Sequence, residues 1–267
     1  MKQIPNLFTL LNLICGCLAI IFSLLPNDQL ITIEGQEQVW QMPEQMWIGA
    51  LFIFAAAVID FLDGFLARLL NAASEMGRQL DSLSDVVSFG VAPGVMLYQL
   101  LRLSWAKEAF ALNVSILALL PAFIFTAAVA WRLARFNIST TQSNSFIGVP
   151  SPAAGLLIAS FPLIVWYQYF GVQDYLLNPW VLYAVILLVS YLMNSRRRFL
   201  ALKFKNFSFK DNVATYLLVL LSVVSILFLK WLAVPVIFVL YLIFSLVSKE
   251  PAVSTTEVDK ANIDATV

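Results

Sequence analysis

The sequence contains no histidine, and only two of its 267 residues are cysteine. Histidine is the side chain that most often acts as general base or metal ligand near neutral pH. Proton transfer and metal binding must therefore rely on carboxylates. Cys15 and Cys17 lie two positions apart in an apolar run, where a helix points them in different directions, so we expect both to be packing residues.

Charged residues are also scarce, at 12% of the chain, and the formal net charge is zero. A chain with no overall basic field lacks the electrostatic footprint of nucleic-acid-binding proteins, which excludes nucleic acid as a partner. Apolar residues make up 61% of the sequence, whereas soluble domains contain about 45–50%. This composition predicts an integral membrane protein.

Eight apolar runs are long enough to cross a bilayer as helices. A span takes about twenty residues, and its backbone polar groups must be satisfied internally. The predicted helices cover residues 7–26, 46–70, 82–101, 113–136, 152–170, 177–195, 212–230 and 232–248. We expect the first run to be a retained membrane helix rather than a signal peptide, and the last two to form a tight antiparallel hairpin. The predicted organisation is an all-α membrane domain over residues 1–250, followed by a disordered polar tail over residues 251–267.

The distribution of lysine and arginine predicts the orientation of these helices. Basic residues remain on the cytoplasmic side of a membrane. With the amino terminus in the cytoplasm, only Arg102, Lys107 and Lys230 of the 16 basic residues fall outside. We therefore expect a cytoplasmic amino terminus in the cytoplasmic membrane.

Four aspartates lie close together in the second and third predicted helices. An ionisable residue in a membrane is costly unless it is paired, solvated or bound to an ion. Asp60 and Asp63 share a face at i and i+3, and Asp81 and Asp85 are at i and i+4 near the start of the third helix. Two such pairs facing each other repel unless cations lie between them. Hard ions such as Mg²⁺ or Mn²⁺ take oxygen ligands, and two-metal sites suit displacement at phosphorus, so the pattern predicts phosphoryl or phosphodiester transfer.

Small residues and an arginine accompany these acids. Gly64 and Ala67 leave a groove beside the predicted metal ligands, and Gly77 lets the connecting backbone approach a ligand. Arg68 supplies a planar guanidinium suited to phosphate oxygens. We therefore predict a binding site for a flat, phosphorylated molecule, while simple packing of the two helices remains the alternative.

The complete spacing is D-x2-D-G-x2-A-R-x8-G-x3-D-x3-D, which resembles the CDP-alcohol phosphatidyltransferase family. This resemblance implies that two metal ions are bound by the acids of the motif, Asp60, Asp63, Asp81 and Asp85. It also implies that Asp85 is the base. The remaining motif positions are then expected to contact the CDP moiety, namely Gly64, Ala67, Arg68 and Gly77. A homodimer is a further implication.

Two flanking segments resemble the phosphatidylserine synthase branch of that family. They are IPNLFTLLNLICGCLAI at the amino terminus, and WRLARFN followed by FIGVPSPAAG. The resemblance implies CDP-diacylglycerol and L-serine as substrates, in contact with membrane lipids. Sister enzymes that use glycerol 3-phosphate, inositol phosphate or choline remain alternatives, and so does a cation transporter with an acidic site inside the membrane.

The flanking segments contain four further candidate binding residues. Thr9 and Asn12 share a helical face and either reach the nucleotide or hydrogen-bond neighbouring helices. Arg132 and Arg135, at i and i+3, either hold the lipid diphosphate and the serine carboxylate or anchor the helix end at the membrane surface. The basic residues from Arg196 to Lys210 are expected to attract anionic headgroups.

Overall fold

The computed structural model describes residues 4–25, 27–33, 36–42, 45–72, 74–106, 114–138, 146–195, 197–199 and 213–247. The predicted polar tail over residues 251–267 lies outside the described residues, as does most of the basic segment up to Lys210. The helices, in chain order, are α1 (Ile4–Leu24), α2 (Met46–Leu69), α3 (Glu75–Asp85), α4 (Ala92–Ala106), α5 (Ile116–Leu119), α6 (Ala122–Ile138), α7 (Ser151–Tyr167), α8 (Gln173–Leu176), α9 (Pro179–Asn194), α10 (Val213–Leu229) and α11 (Ala233–Val247).

The strands in the described residues form two short antiparallel pairs between helices. The pairs are β1 (Asn27–Ile33) with β2 (Gln36–Met42), and β3 (Phe146–Ile147) with β4 (Arg198–Phe199). Helices supply the rest of the regular architecture of the described residues, apart from short 3-10 turns. The predicted all-α membrane fold is therefore confirmed.

Four helical segments among the described residues are long and apolar enough to cross a membrane. They are Pro5–Leu24, Met46–Leu69, Glu75–Ala106 and Thr215–Leu246, with shorter apolar helices at Ser151–Tyr167 and Pro179–Asn194. Large apolar side chains on α10, including Leu220, Leu227 and Phe228, are exposed. Such a surface suits contact with lipid tails, so the chain is an integral membrane protein.

The segment Thr215–Leu246 is divided at Lys230. This residue adopts a left-handed backbone conformation, with φ of 50°, at the start of the short 3-10 turn Lys230–Leu232. The helices on either side, α10 and α11, pack against each other. This arrangement agrees with the predicted hairpin.

The third membrane helix begins earlier than the predicted residue 82. It starts at Glu75, directly after Ser74, whose hydroxyl accepts a hydrogen bond from the Gly77 N–H at 3.0 Å. This N-cap satisfies a backbone donor of the first turn, which explains the earlier start. The helix continues to Ala106 through a π-helical segment, Val86–Val91, between α3 and α4. Asp81 therefore lies inside the helix rather than in its first turn.

The fourth predicted helix, residues 113–136, is broken. The short helix α5 ends at Leu119 and α6 begins at Ala122, with Pro121 between them. Proline has no N–H to continue a helix, and its ring clashes with the preceding turn. The fifth predicted helix also ends early, at Tyr167, because Gln168 turns left-handed with φ of 50°.

The core lies between α1, α2, α4, α6 and α7 and includes the fully buried side chains of Phe89, Phe125 and Ile158. The backbones of α1 and α2 come very close at Gly49, where an added Cβ would lie 2.7 Å from the carbonyl oxygen of Ala19. Small residues allow this kind of close approach in membrane helices. The contact fixes where the acids of α2 lie relative to α1.

Candidate active site

Three acids from two helices form a compact cluster. Asp60 and Asp63 come from α2 and Asp81 from α3, and one carboxylate oxygen from each lies within 4.8 Å of the other two. Asp63 is buried, while Asp60 and Asp81 are half-buried. Oxygen ligands lie about 2.0–2.6 Å from a bound Mg²⁺ or Ca²⁺, so oxygens at this spacing can share one ion. The cluster can therefore hold a divalent cation.

Asp85 lies beside this cluster, one turn after Asp81 on α3. Its side chain is buried, and it interacts electrostatically with Asp60, Asp81 and Asp63. Its Oδ1 accepts a hydrogen bond from Asn12 Nδ2 at 3.3 Å. The structure thus brings all four predicted acids together.

The charge balance of the cluster fits a bound cation. The carboxylate oxygens of Asp60, Asp63 and Asp81 lie within 4.8 Å of one another, and like charges this close repel unless a proton or a cation lies between them. Among the described residues, no lysine or arginine forms an ion pair with any of the four acids, and Arg78, which lines the nearby cavity, pairs with Glu75 at 2.6 Å. A hard divalent cation would compensate these charges without a proton, and oxygen-only ligands favour it over zinc or copper.

Two side chains of helix α1 hydrogen-bond the acids. Thr9 Oγ1 donates to Asp63 Oδ2 at 2.8 Å, and Asn12 bonds Asp85. Both side chains thus hydrogen-bond neighbouring helices, and their contact with the nucleotide stays a prediction. Such contacts orient the carboxylates that would hold a metal.

Two serines complete the connection between α1 and the third helix. Ser84 Oγ donates to the Thr9 carbonyl oxygen at 3.1 Å, and Ser88 Oγ donates to that of Asn12 at 3.0 Å. Sequence reasoning missed both serines. The signal for them was their spacing. Ser84 and Ser88 are four residues apart, and each follows one of the acids, Asp81 or Asp85, by three positions, which puts them on the same side of the helix.

A cavity of about 220 Å³ opens beside the acids. Its lining consists of Pro5, Asn6, Thr9, Asp63, Gly64, Ala67, Ala72, Ser74, Gly77, Arg78 and Asp81. The predicted residues Thr9, Gly64, Ala67 and Gly77 therefore share one cavity with two of the acids.

Two glycines shape this cavity. A Cβ added at Gly64 would meet no atom within 4 Å among the described residues, so the backbone there is open to a ligand. A Cβ at Gly77 would lie 2.9 Å from Asn6 Oδ1. Sequence reasoning missed Asn6, Ser74 and Arg78, of which only Ser74 carried a signal, as a helix N-cap before a polar first turn.

Arg68 does not line this cavity. Its side chain is exposed, and its Nε donates to the carbonyl oxygen of Gly64, one turn earlier on α2, at 3.0 Å. This contact keeps the guanidinium next to the glycine at the cavity wall.

Arg132 and Arg135 lie apart from the cavity, at the end of α6. Arg132 is buried, its Nη1 donates to Ser151 Oγ at 2.8 Å, and it interacts electrostatically with Asp85. Arg135 is half-buried, and its Nη1 donates to the Asn194 carbonyl oxygen at 3.1 Å. The two arginines therefore have different partners, and Arg132 is the one near the acids.

The apolar helices and the acidic centre define a polytopic membrane protein with a carboxylate cluster that could hold a metal ion. Residues 2–193 match the family model described as CDP-alcohol phosphatidyltransferase. The chain belongs to this family, and it is a transferase. The family predicted from the sequence motif is confirmed.

The chain is also similar to curated proteins named CDP-diacylglycerol–serine O-phosphatidyltransferase. The protein of Bacillus subtilis (strain 168) is 35% identical over 201 residues, which cover 74% of this chain and 90% of the relative. That of Helicobacter pylori (strain ATCC 700392 / 26695) is 30% identical over 249 residues, which cover 91% of this chain and 89% of the relative. That of Methanocaldococcus jannaschii is 40% identical over 126 residues, 47% of this chain and 52% of the relative.

Proposed function

We propose that this chain is a phosphatidylserine synthase, which transfers the phosphatidyl group of CDP-diacylglycerol to the hydroxyl of L-serine and releases CMP. The observation that carries this proposal is the acidic cluster of Asp60, Asp63 and Asp81 beside a glycine-walled cavity. The names of the relatives favour serine as the acceptor.

The cavity is the proposed site of the CDP moiety. Gly64, Ala67 and Gly77 line it and leave room for a ligand next to the acids. Arg68, held at the Gly64 carbonyl, is proposed to contact phosphate oxygens. The acyl chains of the lipid would stay in the bilayer, so the substrate is bound at the boundary between lipid and cavity.

Two divalent cations, Mg²⁺ or Mn²⁺, are proposed to be held by Asp60, Asp63, Asp81 and Asp85, and when bound they neutralise charge on the diphosphate oxygens. Thr9 orients Asp63 and Asn12 orients Asp85. The contribution of these residues to rate is positioning and charge compensation, which dominate phosphoryl transfer.

Asp85 is the proposed base. Its carboxylate takes the proton from the serine hydroxyl, and the serine oxygen forms a bond to the phosphorus that carries the lipid. The bond from that phosphorus to the CMP oxygen breaks, and CMP leaves with the electron pair. Inversion of configuration at phosphorus would indicate this direct displacement, whereas retention would indicate a phosphatidyl-enzyme.

Arg132 is the proposed partner of the serine carboxylate, because it is buried and near Asp85. Arg135 is proposed to meet the lipid diphosphate. An acceptor that carries a phosphate, such as glycerol 3-phosphate, would favour a larger basic cluster than one buried arginine.

The proposed setting is the cytoplasmic membrane, with the amino terminus and the active site facing the cytoplasm, where CDP-lipid headgroups and serine are available. The basis is the distribution of lysine and arginine along the chain. The proposed assembly is a homodimer, as the family resemblance implies.

An acceptor panel tests this function. The purified protein is incubated with CDP-diacylglycerol in mixed micelles, with serine, glycerol 3-phosphate, inositol phosphate or choline, and with or without Mg²⁺ or Mn²⁺. We expect CMP release that requires both metal and serine, and none from an Asp60→Asn variant. Release with another acceptor alone would indicate a sister enzyme, and no release with any alcohol would favour a cation transporter.

A further inference from the structure

Arg78 supplies the cationic side chain of the cavity beside the acids. Among the described residues that line this cavity, the other charged ones are Asp63 and Asp81. Arg68, which is proposed to contact phosphate oxygens, does not belong to the lining. The cavity proposed to hold a diphosphate therefore has two carboxylates and one cation in its wall, and the motif shared with the family does not include that cation.

The backbone of Arg78 is fixed in the first turn of α3. Its N–H donates to the Ser74 carbonyl oxygen at 3.1 Å, and the neighbouring Gly77 N–H donates to the Ser74 hydroxyl at 3.0 Å. Arg78 comes three residues before Asp81, which is about 4.5 Å along the helix axis. The side chain therefore starts from a defined position close to a predicted metal ligand.

The guanidinium of Arg78 is held weakly. Its Nη2 bonds Glu75 Oε2 at 2.6 Å, but the two side chains are 55% and 83% exposed. Ion pairs this exposed contribute little to stability, because water and salt screen them. Turning the guanidinium from Glu75 towards an anion in the cavity therefore costs little.

The proposed binding mode brings such an anion to the start of α3. The acyl chains of the substrate remain in the bilayer, so the phosphate that carries the lipid faces the membrane. The phosphate attached to cytidine then faces the other way, towards the first turn of α3. Gly64, where an added Cβ would meet no atom within 4 Å among the described residues, leaves room for this part of the ligand.

We propose that Arg78 is a substrate-binding residue that contacts the phosphate attached to cytidine, which leaves as part of CMP. The inference rests on the proposed function, because it concerns the leaving group of that reaction. Two N–H groups of a guanidinium can bond two phosphate oxygens at once. When the bond from the lipid-bearing phosphorus to the CMP oxygen breaks, the electron pair stays on CMP, and Arg78 stabilises the charge that develops there.

The test compares Arg78→Gln and Arg78→Lys with Arg102→Gln, a matched control at an exposed site on α4. Binding of CMP, and of cytidine, which lacks the phosphate, is measured by titration calorimetry in the presence of Mg²⁺. We expect Arg78→Gln to raise the Kd for CMP about tenfold, as loss of a hydrogen bond to a charged group predicts, and to leave cytidine binding unchanged. Arg78→Lys should recover part of the CMP affinity, and Arg102→Gln should match the wild type.

The kinetic constants of Arg78→Gln give a second measurement. The KM for CDP-diacylglycerol should rise and kcat should fall, because the lost contact is with the phosphate of the leaving group. The KM for L-serine should stay near the wild-type value. The Tm should also stay near that of the wild type, because the ion pair with Glu75 is exposed.

Two results would overturn the inference. One is an unchanged Kd for CMP in Arg78→Gln, and the other is an equal loss of CMP and cytidine affinity, which indicates a change in the shape of the cavity. A wild-type protein that binds CMP but releases none from CDP-diacylglycerol with any alcohol would contradict the proposed function alone. A wild-type protein that binds no CMP would contradict both.

Discussion

At the scale of single residues, α1 determines how the acids of the site are oriented. Thr9 donates to Asp63 at 2.8 Å, a shorter contact than the one it makes with the Pro5 carbonyl oxygen at 3.1 Å, and Asn12 donates to Asp85. Neither residue belongs to the acidic motif, although both lie in the amino-terminal segment that resembles phosphatidylserine synthases. Contacts of this kind commonly change metal affinity and activity more than their own energy suggests.

Replacing Thr9 by valine keeps the shape of the side chain and removes the hydroxyl. We expect the Mg²⁺ or Mn²⁺ concentration for half-maximal CMP release to rise roughly tenfold or more, because Asp63 loses its orienting contact. Thr9→Ser, which retains the hydroxyl, should behave like wild type. Identical metal dependence in Thr9→Val and wild type would show that this hydrogen bond does not position the acid.

Replacing Asp85 by asparagine removes the proposed base with little change in volume. Transfer to serine should fall by about 100-fold or more, as loss of general base catalysis predicts. Binding of CDP, followed by the shift in Tm on adding the nucleotide, should persist, because Asp85 does not line the cavity. Asp174→Asn, at an exposed site on α8, is the matched control. Substantial turnover by Asp85→Asn would show that Asp85 is not the base.

The sequence predicted the acids of the site but not all of their partners. Asp60, Asp63, Asp81 and Asp85 were predictable because spacings of three and four place side chains on one helical face. The hydrogen bond from Arg132 to Ser151 was not, because it depends on how α6 packs against α7. Local spacing carries no information about such tertiary contacts.

At the scale of secondary structure elements, two glycines of α2 have different functions. Gly49 lies against α1, where an added Cβ would be 2.7 Å from the Ala19 carbonyl oxygen and 2.8 Å from Ser23 Oγ. Gly64 has open space instead and lines the cavity. The first glycine is needed for helix packing, and the second leaves room for a ligand.

Alanine substitutions separate these two effects. Gly49→Ala should lower stability by about 1–3 kcal/mol, because the methyl group forces α1 and α2 apart. Gly64→Ala should leave the Tm unchanged and raise the KM for CDP-diacylglycerol, because the methyl group occupies the cavity. Thermal unfolding and initial rates of both variants check this; equal losses of Tm would contradict the ligand-binding role of Gly64.

Helix positions were predictable for segments that cross the bilayer and less predictable elsewhere. Apolar runs located α1, α2 and α9 closely, because a membrane helix needs a continuous apolar length. The polar start of α3 escaped a hydropathy criterion, since only the N-cap Ser74 marks it. The π-helical segment Val86–Val91 has no signature in apolar periodicity, because it depends on one changed hydrogen-bond register.

At the scale of the whole molecule, the proposed orientation follows from the distribution of basic residues. It places Glu75, at the start of α3, on the cytoplasmic side and Asp174, in α8, on the opposite side. Both side chains are exposed. In a background with Cys15 and Cys17 replaced by alanine, Asp174→Cys should react with a membrane-impermeant maleimide in intact cells, and Glu75→Cys only after permeabilisation. The reverse labelling pattern would invert the topology.

The most direct test of the account follows isotopically labelled L-serine into lipid. The protein is reconstituted with CDP-diacylglycerol in vesicles, and lipid and nucleotide products are quantified together by mass spectrometry. We predict labelled phosphatidylserine and CMP in equal amounts, formed only with Mg²⁺ or Mn²⁺, and neither product from the Asp60→Asn variant. CMP without labelled lipid, or equal synthesis by the Asp60→Asn variant, would contradict metal-dependent transfer to serine.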